Sequence, residues 1–411
     1  MRLEAVALDL RIAARNLTRQ LRRTLLALLT LVGGIVAYLM AGGFIEWIYH
    51  DMRESTIHSQ LGHLQVVRPG FLREGGADPY RFTLPAGEED ALAAFDERIV
   101  TVAPRLAFAG LASLGDATIS FIGEGIDPAK EAPISRAMTV VEGTDLQACR
   151  HGRCALLGEG LAANLGARAG QSIVLLATTD SGGVNAVELV VSGIFATKIQ
   201  SYDDTVLRVP ISVARELMRV AGSTTWVVLL AHTPDTQAVA ARLAERLAAN
   251  EFEIVPWSEL ADFYNKTVEL FSRQVGVVRL LIALIVVLSI TNTLSMAVIE
   301  RTSEIGTSMA IGVPRHGVLR LFVWEGALLG LAGGTLGVAI GLVLGEVVSA
   351  IGIPMPPPPG MARGYIGQIA ISPALAFDGF LLAFVTTLLA SLFPAWKASR
   401  MNIVDALRHQ R

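Results

Sequence analysis

Four long apolar runs constrain the fold of this chain more than any other feature. They lie at residues 24–48, 275–299, 319–349 and 374–396. Each is long enough for a helix that crosses a hydrocarbon core, which takes about 20 apolar residues. The composition agrees, because 52% hydrophobic and 17% charged residues are too apolar a mixture for an ordinary soluble domain. The sequence therefore predicts an α-helical membrane protein with four transmembrane helices.

The distribution of lysine and arginine predicts the orientation of these helices. Basic residues precede the first run, separate the second from the third, and follow the fourth, whereas the loop at 350–373 contains only Arg363. Because short basic loops remain in the cytoplasm, both termini are expected there and residues 49–274 on the opposite side. The formal net charge of −3 is too small to indicate a nucleic-acid partner.

The segment at 49–274 predicts a large α/β domain between the first and second transmembrane helices. Strand-like stretches such as "TTWVVLLAH" alternate with helix-like ones such as "DTQAVAARLAERLAANE" and with glycine turns, which favours a mixed sheet. Its cysteines, Cys149 and Cys154, flank a short glycine turn. A disulfide is favoured in an oxidising compartment, with two free thiols, or a metal site that uses His151, as alternatives. A metal site at His50, His58 and His63 is less favoured than solvated histidines.

Two further segments have amphipathic character. Residues 1–23 place leucine and valine at three- and four-residue spacing with arginine on the other faces, which predicts a helix lying in the membrane interface. In residues 300–318, "ERTSEIGTSMAIGVPRHGV", Ile305 and Met309 are four positions apart beside Glu304. This pattern predicts a helix that docks in a protein groove, the alternatives being a helix resting on the membrane or a simple connection.

Small and polar residues inside the apolar runs predict helix packing. The third run repeats glycine every four positions, at Gly326, Gly330 and Gly334 and again at Gly333, Gly337, Gly341 and Gly345. Such ridges let helix backbones approach closely, so this helix is expected to pack against another, in the same subunit or across a dimer. Asn292 in the second run is expected to form an interhelix hydrogen bond. Glu325 and Glu346 lie near the helix ends, where they can reach interface water.

One motif resembles a known family. The stretch "NTLSMAVIERTSEIGTSMAIGV" is similar to the pattern R-x-x-E-I-G-x-x-x-A-x-G of the FtsX-like and MacB-type permeases of ABC transporters, which include the lipoprotein-releasing permeases. The matching residues are Arg301, Glu304, Ile305, Gly306, Ala310 and Gly312. "WEGALLGLAGGTLGVAIG", "PAWKASRMNIVDALR" and, in the outward domain, "LLGEGLAANLGARAGQSIVLL" also resemble the family, so the likeness covers nearly the whole chain from the first helix to the permease region that begins near 275.

The resemblance implies that residues 300–318 are a coupling helix seated in a groove of a cytoplasmic ABC ATPase. The residues implied in this contact are Glu300, Arg301, Glu304, Ile305, Gly306, Met309, Ala310 and Gly312. The sequence contains no G-x-x-x-x-G-K-[ST] phosphate loop. We therefore expect the chain to be no enzyme itself and to bind no cofactor, while two copies of a separate ATPase use ATP and magnesium. Ser308 and Met309 replace a Leu-Arg pair that is frequent in the family, which removes one basic residue from this contact.

The resemblance also implies a function. It predicts a homo- or heterodimeric permease of the bacterial inner membrane, with a MacB-like periplasmic domain at 49–274, a periplasmic Pro-rich loop at 350–373 and a cytoplasmic tail at 397–411. ATP hydrolysis would move the periplasmic domains and so extract or export a lipoprotein, a lipid or another hydrophobic substrate, which a periplasmic or outer-membrane carrier would receive. The alternative is an FtsX-like regulator that activates a periplasmic cell-wall hydrolase and transports nothing.

Overall fold

A computed structural model describes residues 2–76, 78–149, 151–356 and 364–402, with side chains from residue 9 onward. The chain forms two compact units. The helical unit comprises the described parts of 1–49, 267–354 and 366–411, and the β unit comprises those of 50–266 and 355–365. The last segment of the sequence that resembles the permease family, including Ala406, Leu407 and Arg408, lies outside the described residues.

The helices and strands, in chain order, have the following bounds. The helices are α1 Arg2–Arg19, α2 Leu21–Thr56, α3 Phe71–Glu74, α4 Glu89–Ala93, α5 Pro128–Glu131, α6 Glu159–Leu165, α7 Gln200–Asp203, α8 Ile211–Met218, α9 Thr236–Arg246, α10 Trp257–Leu260, α11 Asp262–Glu300, α12 Thr302–Ala310, α13 Arg315–Ile351 and α14 Pro373–Ser399. The strands are β1 Leu64–Val67, β2 Ile99–Leu114, β3 Ala117–Ile126, β4 Thr139–Gly143, β5 Cys154–Gly158, β6 Ser172–Thr178, β7 Val184–Ala196, β8 Val206–Pro210, β9 Thr225–Leu230, β10 Glu253–Pro256, β11 Ile353–Met355 and β12 Tyr365–Gly367.

Among the described residues, four helices are long and apolar enough to cross a membrane, namely α2, α11, α13 and α14. This confirms the four predicted helices. They extend beyond the apolar runs: α2 continues to Thr56 and α11 begins at Asp262. Residues 49–56, "YHDMREST", contain no proline or glycine. The backbone hydrogen bonds of the helix therefore continue after the apolar composition ends.

The glycines of α13 divide between two faces of the helix. On one face, a Cβ atom placed on Gly326 would lie 2.5 Å from Ser391 Cβ of α14. On the other face, Cβ atoms on Gly337 and Gly341 would lie 2.9 and 2.7 Å from Ile35 Cβ and Leu39 Cδ1 of α2. Gly330 and Gly334 join the first face, and Gly333 joins the second, while the neighbour of Gly345 is Ile371. Glycine thus brings α13 against two helices of the same chain, where the sequence indicated one ridge and left the partner open.

The β unit is mostly β-structure, which corrects the prediction of an α/β domain. Within the described residues a ten-stranded sheet runs in the order β10-β1-β9-β2-β3-β8-β5-β7-β4, and β6 pairs with both β2 and β7. The strands β2, β3, β8, β5, β7 and β6 therefore form a closed circuit of pairing. The longest described helix of this unit, α9, has only 11 residues. The helix-like stretches of the sequence are real but too short to make a helical layer.

Strand β2 belongs to both parts of the sheet. Its first half, from Ile99 to Arg105, pairs with β9, and residues 111–113 pair with β6. Phe108 of β2 meets Phe121 of β3 edge to face, with ring centroids 5.6 Å apart. On the β1–β9–β10 side, a separate core gathers side chains of α9 against β9. Strand β2 therefore contributes to the two largest hydrophobic clusters of the described β unit.

The β unit contains a disulfide and a buried histidine. Cys149 and Cys154 form a disulfide with Cα atoms 6.2 Å apart, which is the favoured alternative. His63 is buried, accepts a hydrogen bond at Nδ1 from the backbone N–H of Leu230 at 3.0 Å, and places Nε2 3.1 Å from Thr233 Oγ1. Burial, with a smaller effect of neighbouring His58, lowers the pKa of His63 from 6.5 to about 4.

Candidate coupling site

Helix α12 is bounded by a break at each end. Arg301 has φ −99° and ψ 13°, outside the helical range, and this residue separates α11 from α12. After Ala310, Gly312 has φ +110°, a left-handed conformation that favours glycine over other residues. Pro314 then caps the first turn of α13. The sequence therefore holds a short independent helix between two long ones.

The inner face of α12 packs within the helical unit. Ile305 and Met309 are each 8% exposed, and they belong to a cluster with Phe322 of α13 and Ala395 of α14. Gly306 is buried as well. The apolar face that was predicted to dock in a partner groove is thus covered by the chain's own helices.

The outer face of α12 is open. Glu304, Ser308 and Ile311 are exposed, at spacings of four and three residues that place them on one side of a helix. Ala310 and Gly312 are exposed next to this face. Ile311, 82% exposed, and Val313, 43% exposed, add an apolar surface that sequence reasoning missed. Counting helical positions forward from Glu304, instead of from the apolar pair, would have found Ile311.

A buried polar node holds the start of α12. Arg301 Nη1 lies 3.0 Å from Glu325 Oε1, and Asn16 Nδ2 donates to the same oxygen at 2.7 Å. Glu325 is 2% exposed and Arg301 8%. The expectation that Glu325 reaches interface water is therefore wrong, because α1 and the start of α12 cover it. The node joins three segments: α1, the α11–α12 junction and α13.

Charged pairs around the node link α1 and the start of α2 to the same region. Arg23 pairs with Glu300, Arg19 lies 3.9 Å from Glu304, and Arg320 Nε lies 2.5 Å from Asp9 Oδ2. Exposed pairs of this kind each contribute about 0–1 kcal/mol. Loss of one partner is therefore expected to cost more in the buried node than in these outer pairs.

A second charged cluster lies inside the β unit. Arg208 is fully buried; its Nε donates to Glu124 Oε2 at 2.8 Å, and its Nη2 donates to the backbone oxygen of Ser59 at 3.1 Å. Arg105 binds Glu131 and donates to the backbone oxygen of Gln60. Ser59 and Gln60 lie in a π-helical turn, Ile57–Leu61, that directly follows α2.

The cluster is electrostatically balanced. Burial alone would raise the pKa of the Glu124 carboxyl, but Arg208 and Arg105 outweigh it and hold that pKa below its ordinary value. Two guanidinium groups on β2 and β8 thus fix the turn that ends the first long helix to the sheet of the β unit. An arginine inside each of the apolar strands "PRLAF" and "VLRVP" was the signal for this cluster in the sequence.

Asn292 differs from its prediction. Its side chain is exposed, and among the described residues it has no hydrogen-bond partner. The neighbouring Thr291 makes the interhelix bond instead, from its Oγ1 to the backbone oxygen of Ala390 at 3.1 Å. Helix α11 is the least covered of the four long helices. Asn292 therefore faces outward from the helical unit.

Two family models match the chain. A model described as the MacB-like periplasmic core domain matches residues 24–246, more than half of the chain, and one described as the FtsX-like permease C-terminal region matches residues 276–403. Together they cover most of both units and all of α12, whereas α1, which contains Asn16, lies outside both ranges. The chain belongs to the FtsX-like, MacB-type family of ABC transporter permeases, and it is a membrane protein with a periplasmic domain.

Curated relatives agree with this assignment. The chain is 28% identical to the macrolide export ATP-binding/permease protein MacB of Rhodospirillum rubrum, over 97% of this chain and 60% of that protein. It is 27% identical to the lipoprotein-releasing system transmembrane protein LolC of Xylella fastidiosa, over 78% of this chain and 80% of that one. The chain thus spans 60% of the length of that MacB relative.

A solved structure is also similar. The periplasmic region of MacB from Actinobacillus actinomycetemcomitans aligns with 51% of this chain and 93% of its own length, at 13% identity and a TM-score of 0.36. At that score the likeness carries no argument of its own, so the family assignment depends on the sequence models.

Proposed function

We propose that this chain is the permease of an ABC transporter of the bacterial inner membrane, with both termini in the cytoplasm. It converts ATP hydrolysis into movement of its periplasmic domain. The observation that carries this proposal is the polar node of Arg301, Glu325 and Asn16, which attaches α12 to α1 and α13 while the outer face of α12 stays open. A force applied to that face passes into the long helices instead of being absorbed by a loop.

The partner that applies the force is an ATPase outside these 411 residues, present in two copies, which uses ATP and magnesium. The outer face of α12 suits a protein groove, because it combines the exposed apolar side chains of Ile311 and Val313 with the exposed carboxylate of Glu304. Arg301, Ile305, Gly306 and Met309 have a different role in this proposal. They hold the helix from behind and make no direct contact with the ATPase.

A second permease subunit, identical or related, covers α11. The apolar side chains of Leu280, Ile285 and Leu288 are more than half exposed on this helix, and Asn292 is exposed among them. A polar amide facing lipid is costly, and polar side chains in membrane helices commonly bind across a helix interface. A dimer contact at α11 supplies Asn292 with the hydrogen-bond partner that it lacks among the described residues of its own chain.

The substrate is a lipoprotein, a lipid or another hydrophobic compound that is taken from the inner membrane or the periplasm. The named relatives support this class, since one is named for macrolide export and another for lipoprotein release. The cluster of Arg105 and Arg208 supports the mechanical step, because it attaches the turn after α2 firmly to the β unit. In this proposal the turn that follows α2 moves together with the sheet of the β unit.

Co-purification from native membranes tests the ATPase contact. Ile311→Asp and Glu304→Arg are expected to remove an ATPase from the material that the wild-type chain captures. Ile351→Asp and Glu346→Arg are matched controls, because Ile351 is 80% exposed and Glu346 is exposed, both near the opposite end of α13. Undiminished ATPase in both test variants would refute docking at α12. Capture of a cell-wall hydrolase, and of no lipid or lipoprotein carrier, would favour the regulatory function over transport.

A further inference from the structure

Two oppositely charged residues lie inside the apolar runs of α11 and α14 and face each other there. Arg279 and Asp378 each lie four positions after the start of their run, at 275 and 374, which corresponds to about 6 Å along the helix axis. Both starts adjoin segments that are predicted to be periplasmic. Nη1 of Arg279 lies 4.0 Å from Oδ2 of Asp378, and the two side chains are 45% and 48% exposed. Both charges therefore lie near the periplasmic end of the hydrocarbon core.

This pair lacks the hydrogen bonds that a charged residue in a membrane helix usually has. Glu46, at the same end of α2, accepts hydrogen bonds from the backbone N–H and the hydroxyl of Ser372, at 3.1 and 2.9 Å. Among the described residues neither Arg279 nor Asp378 takes part in a hydrogen bond, and their separation of 4.0 Å is too long for one. Because an ionised side chain at this depth is costly without polar partners, the pair requires polar groups from outside its own chain.

The face of α11 that carries Arg279 is open at this end of the helix. Val286, about two turns further along the same face, is buried within the helical unit. A Cβ atom placed on Gly276, about one turn before Arg279, would have no atom within 4 Å. Leu288, about two and a half turns from Arg279, lies on the opposite face, which the proposed second subunit covers. Lipid is therefore the neighbour that remains for Arg279 at this depth.

We propose that Arg279 and Asp378 bind the head group of a phosphatidylethanolamine molecule in the periplasmic leaflet. The phosphate accepts hydrogen bonds from the Arg279 guanidinium, whose long side chain extends toward the level of the head groups. The primary ammonium of the lipid donates to the Asp378 carboxylate. The acyl chains lie against apolar side chains that α14 exposes beside Asp378, at Phe377 and Leu381.

The charges of the pair select this class of lipid. A phosphatidylglycerol head group would place a second negative charge next to Asp378, and a phosphatidylcholine head group has no N–H to donate to the carboxylate. A phosphoethanolamine head group matches both signs and makes a hydrogen bond at each. The inference goes beyond the proposed function, because the lipid binds to the permease itself and is neither the transported substrate nor a partner protein.

Fluorescence quenching of the full chain in lipid nanodiscs tests the proposal without an ATPase, so its failure is distinct from a failure of coupling. The two cysteines of the sequence are joined in a disulfide, so Gly276→Cys introduces a single thiol for a bimane label about one turn from Arg279. The quencher is phosphatidylethanolamine or phosphatidylglycerol with brominated acyl chains, mixed into phosphatidylcholine. Half-maximal quenching should require about threefold less phosphatidylethanolamine than phosphatidylglycerol. Equal requirements for the two lipids, or no quenching by either because protein covers the label, would overturn the proposal.

A matched label and two further variants make the test specific. Leu281→Cys places the bimane two positions from Arg279, on the other side of the helix and at nearly the same depth, and it should show no preference between the two lipids. Asp378→Asn should remove the preference that the label at Gly276 reports. The double variant Arg279→Gln with Asp378→Asn should remove it as well, and it leaves no unpaired charge that could prevent folding. A preference that persists in the double variant, or that is equal for the label at Leu281, would refute the assignment.

Discussion

The polar node makes a quantitative prediction about stability. Glu325→Leu removes the carboxylate and leaves the Arg301 guanidinium buried without a counter-charge, which costs about 3–5 kcal/mol. Arg301→Met leaves Glu325 buried with only the Asn16 amide as its hydrogen-bond donor, and it should cost a similar amount. Together, the two substitutions replace an ion pair by apolar groups of similar volume, which is often neutral or stabilising by about 1–4 kcal/mol.

The double variant also loses the hydrogen bond that Asn16 donates, which lowers its free energy of unfolding. Asn16 Nδ2 loses its acceptor in the double variant, at about 1 kcal/mol. The double variant should therefore lie between about 1 kcal/mol less stable and about 3 kcal/mol more stable than the wild type, whereas the costs of the two single variants add up to about 6–10 kcal/mol. The assay is reversible unfolding of the full chain in mixed micelles, titrated with denaturing detergent and followed by tryptophan fluorescence.

A matched control separates burial from charge pairing. Arg273 and Glu269 on α11 form a pair with an N–O distance of 2.5 Å, but their side chains are 77% and 64% exposed. Glu269→Leu should cost less than about 0.5 kcal/mol. If Glu325→Leu costs no more than this control, or if the double variant is as unstable as the single variants added together, the node does not hold α12 in place.

Three further outcomes follow from packing, from buried charge and from titration. Gly337→Ala should destabilise the helical unit by about 1–3 kcal/mol, because the added Cβ atom meets Ile35. Gly276→Ala, which has open space around it, should be neutral or stabilising in the same detergent titration. Arg208→Met should lower the free energy of unfolding of the β unit by about 3–5 kcal/mol. Arg153→Met, in an exposed pair, should lower it by less than about 1 kcal/mol. Equal rates of proteolysis for the two variants would contradict this difference. The pKa of His63 falls to about 4 in the folded protein, so its neutral form contributes stability above pH 6.5 that is lost as the pH falls toward 4. His63→Gln should therefore flatten this part of the curve of unfolding free energy against pH, measured by chemical denaturation.

The four transmembrane helices could be predicted from the sequence because hydropathy is a local property. The closed circuit of the β unit could not, since β2 pairs with β9 more than 100 positions away as well as with its neighbour β3. Short helix-like stretches also suggested an α/β domain, because helical periodicity identifies a helix but does not show whether several helices form a layer.

The candidate coupling site, too, could be predicted from the sequence only in part. The motif located α12, but the pattern of Ile305 and Met309 did not reveal which face would be covered by the chain itself. Ile305 and Met309 are covered by side chains of other helices, such as Phe322 and Ala395. Arg301 is held through Glu325 and Asn16, which lie 24 and 285 positions from it in the sequence. Partners so distant leave no periodic signal near Arg301, so only the fold shows that this residue holds the helix from within.

The two glycine faces of α13 also bear on how far the sequence of this chain can change. Side chains of α2 and α14 occupy the space that any larger residue would need at these positions. A substitution at one of these glycines therefore requires a compensating change in the helix that faces it, which is α14 for one set of positions and α2 for the other. Helix α11, largely uncovered within its own chain, needs no such compensation from its own neighbours. We expect randomised libraries of the helical unit to accept substitutions on α11 far more readily than on α13, except where a second subunit covers it.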